Sequence, residues 1–285
     1  MMFNIENQEM YVSVNSFGAE LSRIKSKRDN KEIIWNGCKD IWSKTAPILF
    51  PIVGKVKNDC YMYNGKTYHI NKHGFALKSE FELISKSKEK ISLALKSSEE
   101  TKLVYPFDFM LTVEFELNKN TLIVNHIVLN MGNETMLFSI GAHPGFNCSI
   151  GDYLEFEKLE NISAYQFDDN KIIKKEMVPF LDNENIFTIK QDTFNNDALI
   201  LENLNSSYVY IKSNNHKNAV KMDFGKVPFL GIWAKPGAPY VCIEPWYGID
   251  DDYQEYGELG NKKGIQSLKR DEIFSFKYKI EILGG

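Results

Sequence analysis

The most frequent pattern along the chain is alternation of apolar and polar side chains, the two-residue period of a strand with one buried face. It is clearest in FSFKYKIEIL (274–283). The segment LTVEFELNKNTLIVNHIVLN (111–130) predicts two long strands joined by a short polar turn. YMYNGKTYHI (61–70) predicts a hairpin, because Asn64-Gly65 accepts the positive φ angles of a type I′ turn. These segments indicate antiparallel β-structure.

Shorter runs of the same kind recur through the chain: YVSV, EIIW, FELI, ISLAL, YVYI, AVKMDF, FLGIWA and YVCIEP. No segment predicts a helix longer than about two turns, and there is no fixed-period repeat or low-complexity linker. The 285 residues can bury a large core, as one domain or two. The pattern therefore predicts an all-β protein, built either as one large sandwich or as a barrel.

Composition and charge argue against some classes of binding partner. The net charge of -4 and the pI near 5.8 argue against nucleic acid or an anionic membrane surface as a partner. The cysteines, Cys38, Cys60, Cys148 and Cys242, are scattered without C-x-x-C spacing, so we expect reduced thiols and no structural zinc site. The first residues lack the pattern of a signal peptide and no run of 18 apolar residues occurs, so we expect a cytoplasmic protein.

Three short segments combine a proton-transferring side chain with a turn residue. They are KHGFA with His73, GAHPGF with His143, and YVCIEPWYG with Glu244. The last places a carboxylate at the predicted end of an apolar strand, where we expect partial desolvation. Aromatic residues flank all three positions, and aromatic faces suit the C–H faces of a pyranose while His and Glu suit its hydroxyls. The three segments together favour a sugar site.

Each residue alone has a simpler interpretation. A histidine beside Gly or Pro is more often a turn residue, and a glutamate at a strand end is usually solvated. The flanking aromatic residues are more often core. The other histidines, His69, His126 and His216, are interpreted as structural or exposed.

The ordered motifs together resemble the aldose 1-epimerase (galactose mutarotase-like) family, and within it the LacX-like branch. The similar segments are FGAELSRIKSKRDNKEIIWNG, WSKTAPILFPIVGKVKND, KHGFA, GAHPGF and FLGIWAKPGAPYVCIEPWYGIDD. The resemblance implies one antiparallel β-supersandwich domain over residues 1–285. It also implies interconversion of the α and β anomers of a hexose, with a small-molecule carbohydrate as partner and without a cofactor or metal.

The resemblance also assigns roles to residues. It makes Glu244 the general base that takes the O1 proton and His143 the general acid that protonates the ring oxygen O5. It makes His73 a sugar ligand near that oxygen. Asp197, in NNDALILENL, matches an acidic residue that holds substrate hydroxyls, and Trp246 is expected to contact the sugar.

Two positions depart from the family pattern. Lys55 and Leu77 stand where the family usually has arginine. Lys55 keeps the charge for substrate binding but loses the planar fork that holds two oxygens, which changes the expected affinity or substrate choice. The only arginines are Arg23, Arg28 and Arg270, and none lies in a histidine or glutamate motif. A neutral hexose is therefore favoured, while the lysines at 55, 57, 72 and 78 leave a phosphorylated sugar open.

Other classes of protein stay open at this stage. His73, His143 and Glu244 form a two-His-one-carboxylate set, so a non-haem iron or zinc enzyme is an alternative, although no metal-binding spacing accompanies them. A sugar-binding or regulatory protein without turnover is another. A glycosidase is disfavoured because no second distinctive carboxylate motif pairs with Glu244. The acidic stretch at 248–258 is interpreted as a solvated loop rather than a calcium site.

Overall fold

The structure, a computed structural model, describes residues 1–217, 219–254 and 257–284. The strands in chain order are β1 (Met2–Glu6), β2 (Met10–Asn15), β3 (Glu20–Ser26), β4 (Ile48–Leu49), β5 (Cys60–Tyr63), β6 (Lys66–His69), β7 (Glu82–Lys86), β8 (Lys90–Lys96), β9 (Phe109–Asn118), β10 (Thr121–Asn130), β11 (Met136–Phe138), β12 (Ile140–Ala142), β13 (Gly145–Asn147), β14 (Tyr153–Phe167), β15 (Ile173–Thr188), β16 (Leu199–Glu202), β17 (Tyr208–Lys212), β18 (Ala219–Asp223), β19 (Phe229–Trp233), β20 (Tyr240–Tyr247), β21 (Gln266–Leu268) and β22 (Ile273–Leu283). Within the described ranges, helix is limited to α1 (Glu99–Val104) and the 3-10 turns Lys57–Asp59, Ala76–Lys78 and Leu259–Asn261.

The strands form one large antiparallel sheet and three small ones. The large sheet has 15 strands in the order β4-β12-β20-β19-β16-β14-β17-β18-β22-β10-β9-β8-β7, with β13 paired to β20 and β15 paired to β14. A three-stranded sheet contains β1, β2 and β3, and the pairs β11-β21 and β5-β6 complete the set. The all-β class and the large antiparallel sandwich are as predicted.

The alternating segments form strands in the predicted places. β9 and β10 pair along their whole length, and β22 pairs with the other edge of β10. Burial alternates along β10, because every second side chain from Leu122 to Asn130 faces the core. The β5-β6 hairpin turns at Asn64 and Gly65, which have φ angles of 50° and 71°. This is the backbone that the sequence predicted there.

One predicted strand is wrong. EIIW forms only single bridges, between Glu32 and Lys25 and between Ile34 and Phe146. Ile33, Ile34 and Trp35 are all buried, so this apolar run packs into the core as an irregular segment instead of joining a ladder. A short apolar run does not by itself distinguish a strand from other buried backbone.

Strand β20 is the element on which the site depends. It lies between β19 on one side and the short strands β13 and β12 on the other. Its side chains from Tyr240 to Trp246 are all buried. One large cluster of buried apolar side chains extends from Ile5 to Ile280, so residues from both ends of the chain support this strand.

No helix in the described part of the chain is long and apolar enough to cross a membrane.

Candidate active site

The candidate active site is a cavity of about 440 Å³ at the middle of β20. It collects most of the residues that the sequence singled out. Its lining consists of Trp42, Lys44, Pro47, Leu49, Lys72, His73, Leu77, His143, Phe167, Lys171, Phe194, Asn195, Asp197, Ala198, Trp233, Pro236, Glu244, Trp246 and Asp250. A larger cleft of about 830 Å³ lies near the β1-β2 turn, but its described lining contains neither histidine nor an aromatic side chain. We therefore place the chemistry in the smaller cavity.

His143 lies in the turn between β12 and β13, and hydrogen bonds fix the backbone of this turn on both sides. The His143 N–H donates to the carbonyl of Pro47 at 3.1 Å, and the Gly145 N–H donates to Thr45 at 2.8 Å. On the other side, the Ile243 N–H donates to Pro144 at 3.2 Å. The turn is therefore fixed between β20 and residues 45–47.

Gly145 is required by close packing in this turn. A Cβ atom at position 145 would lie 2.9 Å from Cζ3 of Trp42, and contacts this short are not tolerated. The Trp42 ring in turn contacts the His143 ring, with centroids 5.2 Å apart. The glycine thus allows the tryptophan to support the histidine.

Glu244 lies within β20 rather than at its end, which corrects the sequence-based expectation. The strand continues through Pro245 to Tyr247. Pro245 lies two residues after Ile243, so both backbone nitrogens face the edge of β20 that pairs with β12 and β13. At Pro245 the His143-Pro144 turn interrupts that pairing, so no N–H is needed for a hydrogen bond to a neighbouring strand. The carboxylate is consequently buried almost completely, with 1% of the residue exposed.

His143 and Glu244 meet at the base of the cavity. Nε2 of His143 lies 3.1 Å from Oε2 of Glu244. Burial raises the pKa of Glu244 well above its usual value, while the nearby charge of Lys72 acts in the opposite direction. Burial lowers the pKa of His143 to about 3. Because burial disfavours both charged forms, the pair favours holding one proton in total.

His73 lies beside this pair in a strained loop. Its backbone is left-handed, with φ of 67°. The Gly54 N–H donates to Nδ1 of His73 at 3.1 Å, and the His73 N–H donates to the Gly54 carbonyl at 2.8 Å. Since Nδ1 accepts, Nε2 carries the proton of the neutral ring. Burial, followed by Lys72 and His143, lowers the pKa of His73 well below its usual value.

Aromatic rings form one wall of the cavity. Trp42 and Trp233 each contact His143, and their own ring centroids are 5.6 Å apart with planes at 77°. Trp246 also lines the cavity, with its ring centroid 6.4 Å from that of His73. Each of the two histidine rings therefore lies near at least one tryptophan ring.

Acidic and basic side chains form the rest of the lining. Asp197 has a left-handed backbone with φ of 81°, and its Oδ2 lies 2.7 Å from Nζ of Lys171. Lys44 pairs with Glu20 at 3.3 Å. Leu77, at a position where the family usually has arginine, also lines the cavity. The site thus contains charges of both signs.

Lys55 is the one predicted site residue whose side chain does not line the cavity. Its ammonium group lies 3.8 Å from Asp59, on the 3-10 turn that follows it. Its backbone N–H instead donates to Oδ1 of Asp250 at 2.7 Å. Lys55 therefore supports the site through its backbone, and lysines 44, 72 and 171 supply the charge at the cavity.

Asp250 was missed by sequence reasoning, which interpreted residues 248–258 as a solvated loop. Asp250 is 2% exposed and lines the cavity, and burial raises its pKa. Asp251 is also buried, where it pairs with Lys262 at 2.6 Å and accepts from the Lys57 N–H at 2.8 Å. The solvated-loop interpretation is therefore wrong for these two residues, while positions 255 and 256 lie outside the described residues. The signal that was available is the position of Asp250, shortly after the apolar strand that ends at Tyr247.

The fold and cavity define a class of protein: an all-β sandwich with a buried acid-base pair between aromatic rings. The sequence matches the profile of the family described as Aldose 1-epimerase over residues 1–256. The chain therefore belongs to the aldose 1-epimerase family.

Individual relatives and solved structures agree with this membership. Two proteins of Lactococcus lactis subsp. lactis, "Protein LacX, plasmid" and "Protein LacX, chromosomal", are each 30% identical to this chain over 299 residues, covering 99% of this chain and all of theirs. A galactose mutarotase related enzyme from Lactobacillus acidophilus superposes with a TM-score of 0.94 at 34% identity, covering 100% of this chain and 98% of that one. A galactose mutarotase-like protein from Lactobacillus casei superposes with a TM-score of 0.93 at 28% identity, covering 99% and 100%.

Proposed function

We propose that this protein is an aldose 1-epimerase, a mutarotase that interconverts the α and β anomers of a hexose. The observation that carries the proposal is the 3.1 Å contact between Nε2 of His143 and Oε2 of Glu244 in a tryptophan-lined cavity. A base and an acid this close can act on adjacent oxygens of one hemiacetal carbon. No group besides these two is needed to move the protons.

The reaction consists of two proton transfers that open the ring, one rotation, and two reverse transfers that close it. Glu244 takes the O1–H proton while His143 gives a proton to O5, so the C1–O5 bond breaks and C1 becomes an aldehyde. Rotation about the C1–C2 bond then presents the other face of the carbonyl. The reverse transfers close the ring with the opposite configuration at C1. Each positioned group contributes typically about 10²- to 10⁴-fold.

The single proton of the pair accounts for both roles. It gives either a neutral carboxyl beside a neutral imidazole or a carboxylate beside an imidazolium, and the second form contains the required base and acid. The attraction between the two charges at 3.1 Å offsets part of the cost of burying them. The active state is therefore the pair with one proton, which predicts that activity falls at both low and high pH.

The remaining polar groups suit a bound pyranose. His73 offers its Nε2–H to an oxygen of the ring region, and Asp197 accepts from ring hydroxyls. The tryptophan rings suit the C–H faces of the sugar. Rigid support of His143 by its backbone hydrogen bonds holds the acid within reach of O5.

The charge balance of the cavity favours a neutral hexose. Of the three lysines in the lining, Lys44 is paired with Glu20 and Lys171 with Asp197, so two of the three positive charges are already balanced by carboxylates. A second candidate, a phosphorylated hexose, is supported by one observation: among the described residues, Lys72 has no carboxylate within 4.0 Å. Lys72 is exposed and lines the cavity, where it could face a phosphate.

Polarimetry of freshly dissolved α-D-glucose, α-D-galactose and α-D-glucose 6-phosphate tests the proposal. We expect acceleration by the wild-type protein and its loss, by about 10²-fold or more, in Glu244→Gln and in His143→Asn. His69→Asn and Glu82→Gln are matched controls, because both residues are exposed and lie outside the cavity. Acceleration only of the phosphorylated sugar would select the second candidate.

A non-catalytic sugar-binding protein gives a different result in the same experiment. It would bind hexose in calorimetry without accelerating the change in optical rotation of any of the three sugars. That outcome, with folded protein, would overturn the proposed activity.

A further inference from the structure

A third potential ligand atom lies beside the acid-base pair. Cys242 precedes Glu244 by two residues on β20, so strand alternation places both side chains on one face. One ligand atom from each of His143, Cys242 and Glu244 lies within 4.8 Å of the other two. The Cys242 thiol is fully buried, and His143 and Glu244 are more than nine-tenths buried.

The chemistry of this trio suits a zinc ion. Zinc binds thiolate sulfur at about 2.3 Å and imidazole nitrogen or carboxylate oxygen at about 2.0 to 2.2 Å, so tetrahedral ligands lie roughly 3.4 to 3.6 Å apart. The present separations, 3.1 Å for one pair and at most 4.8 Å for the others, need only small side-chain adjustments. The thiolate and imidazole disfavour Mg²⁺ and Ca²⁺, which take oxygen ligands.

A separate observation also indicates a ligand here. Within the described part of the chain, Nδ1 of His143 and Oε2 of Glu244 are both buried without a hydrogen bond, although Oε2 lies 3.1 Å from Nε2 of His143. Buried carboxylate oxygens are normally satisfied by a donor or a cation. His143 and Glu244 both line the cavity, so a fourth coordination position would open into it.

We propose that Zn²⁺ binds to Cys242 Sγ, His143 and the Glu244 carboxylate, with its fourth position facing the cavity. Three protein ligands and one open position form a complete tetrahedral site. On binding, the thiol of Cys242 loses its proton to solvent. The metal then occupies the lone pairs that would move protons at O1 and O5, so Zn²⁺ inhibits mutarotation. Metal binding rests on the geometry alone, whereas inhibition rests on the proposed function.

The binding test uses full-length protein freed of metal by a chelator. Zn²⁺ is titrated by calorimetry, and Co²⁺ serves as a spectroscopic substitute whose thiolate-to-metal charge-transfer band reports a sulfur ligand. We expect one equivalent to bind to the wild type with that band. Cys242→Ser should lose the band and weaken binding by at least about tenfold. Cys148→Ser is the matched control, because Cys148 is also buried but lies outside the trio.

Polarimetry with added Zn²⁺ tests inhibition. We expect Zn²⁺ to inhibit the wild type and Cys148→Ser, while Cys242→Ser stays active at Zn²⁺ concentrations that stop the wild type. Absence of stoichiometric binding, or equal binding by wild type and Cys242→Ser, would overturn the metal site. Binding with the charge-transfer band in a protein that accelerates no sugar would leave the site standing and overturn the mutarotase instead.

Discussion

At the scale of single residues, the burial of Glu244, the proposed general base, has a cost in stability. Burial raises its pKa in the folded protein above the value of about 4.5 in the unfolded chain. The unfolded chain therefore releases this proton more easily, and the contribution of Glu244 to stability falls as pH rises from 4.5 through the folded-state pKa. At neutral pH the fold is therefore less stable than it would be with a group at this position that cannot ionise.

Glu244→Gln should therefore separate activity from stability. We expect this variant to lose mutarotation and to unfold at a higher temperature than the wild type at pH 7, because a neutral amide replaces a buried carboxyl group that tends to ionise. Thermal unfolding at pH 7 and pH 4.5 measures this, and the gain should shrink at the lower pH. A melting temperature that falls equally at both pH values would contradict the argument.

Glu160 provides the matched control. It is equally buried, but its carboxylate accepts from the Ser206 N–H at 2.7 Å and from the Ser206 hydroxyl at 2.6 Å, with Asn205 also donating. Glu160→Gln replaces one acceptor oxygen in this network by a donor, so it should destabilise the fold by about 1 to 3 kcal/mol. The two substitutions should thus have opposite signs.

The three residues that distinctive motifs identified share one property: each stands beside Gly, Pro or an aromatic residue. His73, His143 and Glu244 are of this kind. Asp250 stands in an acidic run that resembles a solvated loop, and its burial depends on the backbone of Lys55, 195 positions away. Such a long-range contact has no local signature, and the short distance along the chain from an apolar strand to Asp250 was the only indication in the sequence.

At the scale of elements, the short strand β13 positions the turn that contains His143, the proposed general acid. Its first residue, Gly145, pairs with Cys242 on β20 and leaves room for the Trp42 ring. A methyl group at this position would push Trp42 away and shift the ring that supports His143. The element therefore controls the orientation of the His143 ring through Trp42.

Gly145→Ala should reduce kcat/KM by about one to two orders of magnitude, since a displacement of about 1 Å at a catalytic group costs about 10²-fold. We expect a stability loss of about 1 to 3 kcal/mol from overpacking. Mutarotation kinetics and denaturant unfolding measure the two effects.

Gly260→Ala is the control for this substitution. Its Cβ would meet only Leu137 Cδ1, at an ordinary distance of 3.6 Å, so it should change neither quantity by much. Equal activity of Gly145→Ala and wild type would show that Trp42 does not support His143.

At the scale of the whole molecule, the buried His126 makes the sheet sensitive to acid. It lies on β10, stacked on Phe276 with ring centroids 4.5 Å apart, and neither ring nitrogen has a hydrogen-bond partner among the residues that the structure describes. Burial lowers the pKa of His126 to about 3. The folded protein therefore excludes a proton that the unfolded chain binds at about pH 6.5, so stability falls as pH decreases from 6.5 towards 3.

His126→Phe should flatten this dependence. The phenyl ring keeps the stack on Phe276 and cannot be protonated, so the variant should avoid a loss of at most about 3 kcal/mol between pH 6.5 and pH 4. Urea unfolding of both proteins across this range gives the difference. Parallel curves for variant and wild type would show that His126 has the same protonation state in the folded and the unfolded protein, which would contradict the argument.

The overall sheet was more predictable than the site. Alternation in β9, β10 and β22 follows directly from one buried and one exposed face, so these strands and the β5-β6 hairpin were predicted in place. The order of strands in the sheet depends on contacts between distant segments, which periodicity does not encode. The same limit explains why EIIW was predicted as a strand, and why Glu244 was placed at a strand end.

The position of β22 has a consequence for synthesis of the protein. Residues 273–283 fill the gap between β10 and β18, pairing with both. While the chain is being made, these two strands have emerged with unpaired edges, and the gap closes only after residue 283 leaves the ribosome. Exposed strand edges promote association between chains. A nascent chain that stalls before β22 is therefore a substrate for chaperones or aggregation, and a variant that shortens this strand should be found mainly in the insoluble fraction.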